Sequence, residues 1–266
     1  MPRIMHPKIP QADPGWTYLR HAMTCVVVVC AILFGSPVRA ESYRIFGDDS
    51  EPPKSSLSVN GRPEGRIVEV VRFVAKESGI DFNIELYPWA RAYKLAADGE
   101  GLVMSLSWTA ERAEIFDYTD PIFYDDVVVV THEDRIATFE TIDHLRGKTL
   151  AMNIGSSYGE AFDLAIEEGL FRVQRVANRV NWYRMLMNGR VDGVVAAQGV
   201  TGVDAVLRMD PELWERRNEF RVFAKPLKRD PNYIGIPKSL SSPELLARLN
   251  GAIAAYWAQS GETREP

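Results

Sequence analysis

The stretch Arg66–Leu106, RIVEVVRFVAKESGIDFNIELYPWARAYKLAADGEGLVMSL, decides the fold. Ile67, Val70, Val71 and Val74 recur at i, i+3, i+4 and i+7, which is one face of a helix. Gly79 ends that helix, since only glycine takes the left-handed cap position at little cost. Phe82 to Leu86 then alternates as a strand. Pro88 starts a second helix carrying Ala92, Leu95 and Ala96, Gly99 stops it, and Leu102 to Leu106 reads as a buried strand. Strand and helix in alternation build a mostly parallel sheet with helices on its faces.

The same rhythm extends outward. Tyr43–Phe46 is a strand entering the polar turn Gly47–Ser56. Val127–Val130 is a continuous apolar run, as expected of a strand covered on both faces. A second alternation begins at Lys148, with strands at 148–154, 171–176, 191–196 and 220–223. Helices fall at 158–168, 182–187 and 200–209, and a final amphipathic helix at 243–257. Residues 131–147 are polar with little periodicity and divide the pattern into two lobes of similar size. Ligands of open α/β sheets bind beyond the carboxyl ends of the strands, so two such lobes facing each other make a cleft.

Of the 266 residues, the first 40 read as an export signal rather than as part of the fold. Arg3, Lys8 and Arg20 precede an apolar core, Thr24–Phe34, and Val38-Arg39-Ala40 supplies a small-residue cleavage pattern. Cleavage after Ala40 would remove both cysteines, Cys25 and Cys30, and leave no thiol for disulfides, zinc or nucleophilic catalysis. It would also remove Arg3, Lys8, Arg20, Arg39 and Asp13, taking the net charge from −5 to −8. A nucleic-acid partner would want a basic face instead.

Chemistry concentrates in Ser107-Trp-Thr-Ala-Glu-Arg112. A guanidinium is a rigid fork that matches a carboxylate with two parallel hydrogen bonds. Here it follows a strand end and sits among hydroxyl residues. The plainer alternative is a surface arginine paired with Glu111 or Asp117. Gly155-Ser156-Ser157 lies between a strand and a helix, where a helix start offers free N–H donors to an anion. Gly155-Ser-Ser157-Tyr-Gly159 also matches the G-x-S-x-G nucleophile elbow, but no histidine follows it in the chain to complete a triad. His132 and His144 do not have metal-ligand spacing, and no metal or other cofactor is expected.

The order of motifs along residues 43–260 resembles the bacterial family 3 solute-binding proteins, the periplasmic receptors of polar amino-acid ABC transporters. The motifs are Asp48 … Pro52-Pro53, Gly65-x-x-x-Glu69, Pro88-Trp-Ala-Arg-Ala92, Thr109-x-Glu-Arg112 and Thr119-x-Pro121. Leu145-Arg-Gly-Lys148, Gly155-Ser-Ser157, Gly189-Arg-Val-Asp192 and Tyr233-Ile-Gly-Ile-Pro237 follow. The resemblance implies a two-lobed, periplasmic-binding-protein-like (type II) α/β fold. Lobe one would be 41–129 plus 225–266 and lobe two 130–224, with Val128–Thr131 and Phe220–Ala224 as crossing strands. It further implies that Arg112 binds a ligand carboxylate with N–H groups of Ser107 and Thr109, and that Ser156 and Ser157 complete the site.

One position departs from that pattern. The lobe-two acid that faces a ligand ammonium falls on Ala197, followed by Gln198, and an aromatic position is taken by Glu51. The ammonium site is either rebuilt from Asp48, Asp49 or Glu51 or absent. Trp89, Trp108, Tyr124, Tyr158 and Trp182 are candidate cleft walls, Trp89 and Trp108 first because they flank strand ends; Arg91 is a further candidate anion contact. The expected function is a monomeric periplasmic receptor that closes around a small carboxylate-bearing solute and delivers it to an ABC permease. The alternatives are a cleft enzyme resembling cyclohexadienyl dehydratases and a ligand sensor without transport.

Overall fold

The computed structural model describes residues 41–133 and 135–261. The leader read as an export signal, with Cys25 and Cys30, lies outside the described residues.

The chain opens with strand β1 (Ser42–Asp48). The segment read as a polar turn forms a small antiparallel sheet instead, β2 (Ser50–Glu51), β3 (Ser55–Leu57) and β4 (Pro63–Glu64). Helix α1 (Arg66–Ser78) follows and is capped by Gly79 at φ 67°. Its buried face holds Ile67, Val70, Val71 and Val74, the residues whose spacing predicts it. Then come β5 (Asp81–Tyr87), α2 (Trp89–Ala97), β6 (Leu102–Ser107), the single turn α3 (Ala110–Ala113) and β7 (Phe116–Tyr118). β1 runs parallel to both β5 and β6.

β8 (Phe123–His132) leads into a second set: β9 (Thr149–Met152), α4 (Glu160–Glu167), β10 (Arg172–Arg175), α5 (Arg179–Met187) and β11 (Gly193–Ala196). The helix expected over 200–209 is α6 (Gly199–Leu207), and a short helix that was not expected follows it, α7 (Pro211–Glu215), because Asp210 caps a new start and Pro211 occupies its first turn. β12 (Phe220–Val222), β13 (Lys228–Pro237) and α8 (Pro243–Ser260) complete the chain.

Among these strands, one hydrogen-bonded path runs β10-β9-β11-β8-β13-β6-β1-β5. β8 is common to both halves. Up to Val127 it pairs antiparallel with β13, and from Val128 it pairs with β11 and β12. Each half therefore has three parallel strands edged by an antiparallel one. α1 and α8 cover one face of the first half, with Val71, Val74, Leu249 and Ile253 in its core. In the second half Trp182, Leu186, Val203 and Leu207 of α5 and α6 cover one face, and Phe162 of α4 with Phe171 covers the other. The two halves are the two lobes of the α/β fold, and the carboxyl ends of β1, β6 and β9 meet between them.

Candidate ligand-binding cleft

The first wall of the cleft is built by the end of β6. Ser105 takes a positive φ of 65° inside the strand, and opposite it the pairing with β13 shifts register between Tyr233 and Gly235. Gly235 permits that close approach, since a Cβ there would lie 2.5 Å from Leu106 Cδ2. Non-glycine residues seldom hold this backbone conformation, and such kinks cluster at functional sites. Beyond the kink, the Ser105 hydroxyl donates to Asn232 Oδ1 at 2.6 Å and that of Ser107 to Asp230 Oδ2 at 2.6 Å.

Thr109 then caps α3, its Oγ1 accepting from the Arg112 N–H at 3.1 Å. That single turn aims Arg112 into the cleft, where only 6% of the residue is exposed. Its Nη1 donates to Ser107 O and its Nη2 to Gly155 O of the opposite lobe, both at 3.0 Å. The rings of Trp89 and Tyr93 lie 5.9 and 5.3 Å from the guanidinium carbon. Among the described residues no carboxylate pairs with it, so neither Glu111 nor Asp117 neutralises it. A buried cation held by carbonyl dipoles and aromatic rings, with no carboxylate beside it, remains uncompensated, and such a charge favours an anion.

The other end of the cleft is acidic. Asp48, at the end of β1, receives Arg179 Nη2 at 3.0 Å and Asn153 Nδ2 at 3.2 Å, both from the second lobe. Burial tends to raise the Asp48 carboxyl, but Arg179 and the Ser50 donors outweigh it and hold the group below its ordinary value. Glu51 lies 3.1 Å from Lys54 and 3.5 Å from Arg179. Lys54 also meets Asp125 Oδ2 at 2.5 Å and Asn232 Oδ1 at 3.1 Å. Burial works against the Lys54 charge, yet Asp125 and Glu51 prevail and raise it. Asp125 has a single charged partner, and its Oδ1 is buried without a hydrogen bond. Burial therefore pushes the Asp125 carboxyl up to about 6.

Arg112, Ser107, Asp48, Trp89, Ser156 and Ser157 thus share one cavity wall, as do Tyr158 and Ala197. Trp89 donates its indole N–H to Gly155 O at 3.2 Å. Ser156 and Ser157 sit in the loop before α4, whose N-cap is Gly159, rather than in its first turn. Thr109 lines the outer mouth beside Arg112 and Glu111. Trp108 lies outside the wall and is 50% exposed, because it alternates to the opposite side of the chain from Ser107. Trp182 is core, Tyr124 packs on Trp257, and Arg91 stacks on Tyr87 at 4.3 Å. Of the acids considered for an ammonium, Asp48 and Glu51 are engaged by Arg179 and Lys54, and Asp49 lies outside the wall.

Lys54, Ser105, Asp125, Asn153, Arg179, Asp230 and Asn232 also line the cavity and were not singled out from sequence. One signal was available for Asp125: it shares the inward face of β8 with Phe123 and Val127. Among the described residues no group of histidine, cysteine and acid side chains could hold a metal ion.

Residues 43–264 match the family described as bacterial extracellular solute-binding proteins, family 3. A probable histidine-binding protein of Neisseria gonorrhoeae is 24% identical over 165 residues, and the match spans 59% of each protein. The L-cystine-binding protein TcyJ of Escherichia coli K12 is 22% identical, over 76% of this chain and 73% of that protein. Among solved structures, a histidine kinase sensor domain with similarity to periplasmic binding proteins superposes with a TM-score of 0.69. It is 22% identical, over 84% of this chain and 92% of that one. At that identity the likeness concerns the fold, which is the two-lobed periplasmic-binding-protein fold of type II.

Proposed function

This chain belongs to the bacterial extracellular solute-binding proteins, family 3, and from that premise we propose that it is a periplasmic receptor for a small carboxylate-bearing solute, an amino acid or a close relative of one. The observation that carries this reading is Arg112, a buried guanidinium whose protein partners are backbone carbonyls. A ligand carboxylate supplies the missing counter-charge with a bidentate pair. The N–H groups of Ser107 and Thr109 on one lobe, and Ser156 and Ser157 on the other, complete its shell, with Trp89 packed beside it. The lobes divide within β8, between Val127 and Val128, and again between β12 and β13. The histidine and cystine named for two relatives support the amino-acid class.

In this reading the lobes close on the solute, and the closed form is presented to an ABC permease. Residues 1–40 direct the chain to the periplasm. The solute leaves chemically unchanged, so the protein is not an enzyme. The test is a thermal-shift screen over amino acids, hydroxy acids and small peptides, with the stabilising compound recovered and analysed. A ligand that binds the folded state raises the melting temperature according to its concentration over Kd. Arg112→Ala abolishes that rise if the reading holds. Persistence of the rise in the variant, or recovery of an altered compound, overturns it.

A further inference from the structure

Arg179 is the first residue of α5 in the second lobe, yet its guanidinium is seated among acceptors of the first. Nη1 donates to Ser50 O at 2.9 Å and to Ser50 Oγ at 2.8 Å, and Nη2 lies 3.0 Å from Asp48 Oδ2. Glu51 Oε1 stands 3.5 Å away, and the Trp182 ring covers the guanidinium at 5.4 Å. The side chain is 10% exposed and that of Asp48 4%. Asp48, Ser50 and Glu51 thus form an acceptor set suited to a guanidinium or ammonium, and its two acids line the same cleft as Arg112.

We propose that Arg179 is a specificity-determining residue: it fills, with a guanidinium from the protein itself, the subsite that Asp48, Ser50 and Glu51 would otherwise offer to a cationic ligand side chain. The cleft then selects carboxylate-bearing ligands whose far end carries no positive charge. This rests on the carboxylate reading of Arg112 and extends it to the other end of the ligand.

Two physical arguments support the exclusion. A tethered group competes at an effective concentration of roughly millimolar or more when its tether fits, and Arg179 is carried by a helix packed into the core of its lobe. A ligand guanidinium would make the same bonds that Arg179 already makes, so exchange brings no net gain. Displacement would also strand a further cation beside a cleft that already buries Lys54 and Arg112, with no free carboxylate to receive it. A neutral side chain meets neither obstacle.

The test compares the wild type with Arg179→Ala by scanning fluorimetry and calorimetry, using L-arginine, L-lysine, L-alanine, L-glutamine and methylguanidinium. For the wild type, neither L-arginine, L-lysine nor methylguanidinium raises the melting temperature. For Arg179→Ala, millimolar methylguanidinium raises it by a few degrees above a sodium chloride control of equal ionic strength. L-arginine then binds at least about tenfold more tightly than to the wild type. If Arg179→Ala does not fold, Arg179→Met keeps the volume and the same comparison applies.

Methylguanidinium has no carboxylate, so its rescue reports on the acidic subsite alone. Rescue in a protein that binds none of the carboxylates upholds the subsite and overturns the reading of Arg112. Wild-type binding of L-arginine or L-lysine as tight as that of L-alanine or L-glutamine overturns the proposal. So does a folded Arg179 variant that methylguanidinium leaves unmoved.

Discussion

Arg112 and Arg179 are the same side chain, each nearly buried in one cleft, and they are held in opposite ways. Arg179 meets two carboxylates and a serine across the lobes. Arg112 meets two carbonyls. A buried guanidinium with its counter-charge is a structural joint, because removing one partner leaves the other uncompensated. A buried guanidinium with only dipoles around it is a receptor, because its counter-charge must come from outside. Residue type and burial do not separate the two roles; the partners do.

The contrast breaks most readily at Asp48. Asp48→Ala leaves Arg179 with the more distant Glu51 and should destabilise the protein by about 3–5 kcal/mol, measured as a change in the urea midpoint. A loss below about 1 kcal/mol would mean that Ser50 and Glu51 suffice and that Arg179 is no joint. Arg112→Ala should do the reverse. Its effect appears in ligand binding, at about 2–5 kcal/mol by calorimetry, while unfolding without ligand moves little, since no ion pair is lost. An equally large loss of intrinsic stability would make Arg112 structural after all.

Acid titration sharpens the same contrast, because the two buried acids have opposite signs. The Asp125 carboxyl, raised to about 6, opposes folding when ionised. Its contribution to stability therefore grows as pH falls from 7 toward its ordinary value near 3.8. Asp48 is depressed, so its contribution is full above its ordinary value and disappears as pH falls through the lower folded value. Melting temperatures followed from pH 7 to 3 should show the upper limb flattened in Asp125→Asn. An unchanged upper limb in that variant would show that Asp125 does not carry it. The smallest effect is expected at Asn153, whose amide is one neutral donor to Asp48. Asn153→Ala should cost about 1 kcal/mol in the same urea assay, far less than Asp48→Ala.

How much of this could be read in advance follows from distance along the chain. α1 was legible because its apolar spacing and its glycine cap are local. Arg112 could be singled out because it follows a strand end among hydroxyl residues, while the cap by Thr109 that orients its turn belongs to the structure. Arg179 was not, since its partner Asp48 lies 131 residues away and a basic residue opening a helix looks like a solvated one. Asp125 and Asp126 lie just before the apolar run Val127–Val130, and only the extension of β8 back to Phe123 shows that alternation buries Asp125 and exposes Asp126. β13 was not read as a strand, because Pro231 and Pro237 weaken a strand reading. Yet it is the central strand that pairs with both β6 and β8. Ala197 could be noticed as an absent charge, but what takes up the acids opposite it is a fact of packing between lobes.

Gly155 accepts hydrogen bonds from both Arg112 and Trp89 through one carbonyl. That oxygen works as an internal standard against which each incoming acceptor is compared. A neutral amide or ester carbonyl reproduces the interaction already in place, so its exchange is close to thermoneutral. A carboxylate brings a full charge to the same donors, and charge-assisted hydrogen bonds are roughly twice as strong as neutral ones. Discrimination between acid and amide at this end of the cleft is therefore set by a backbone atom.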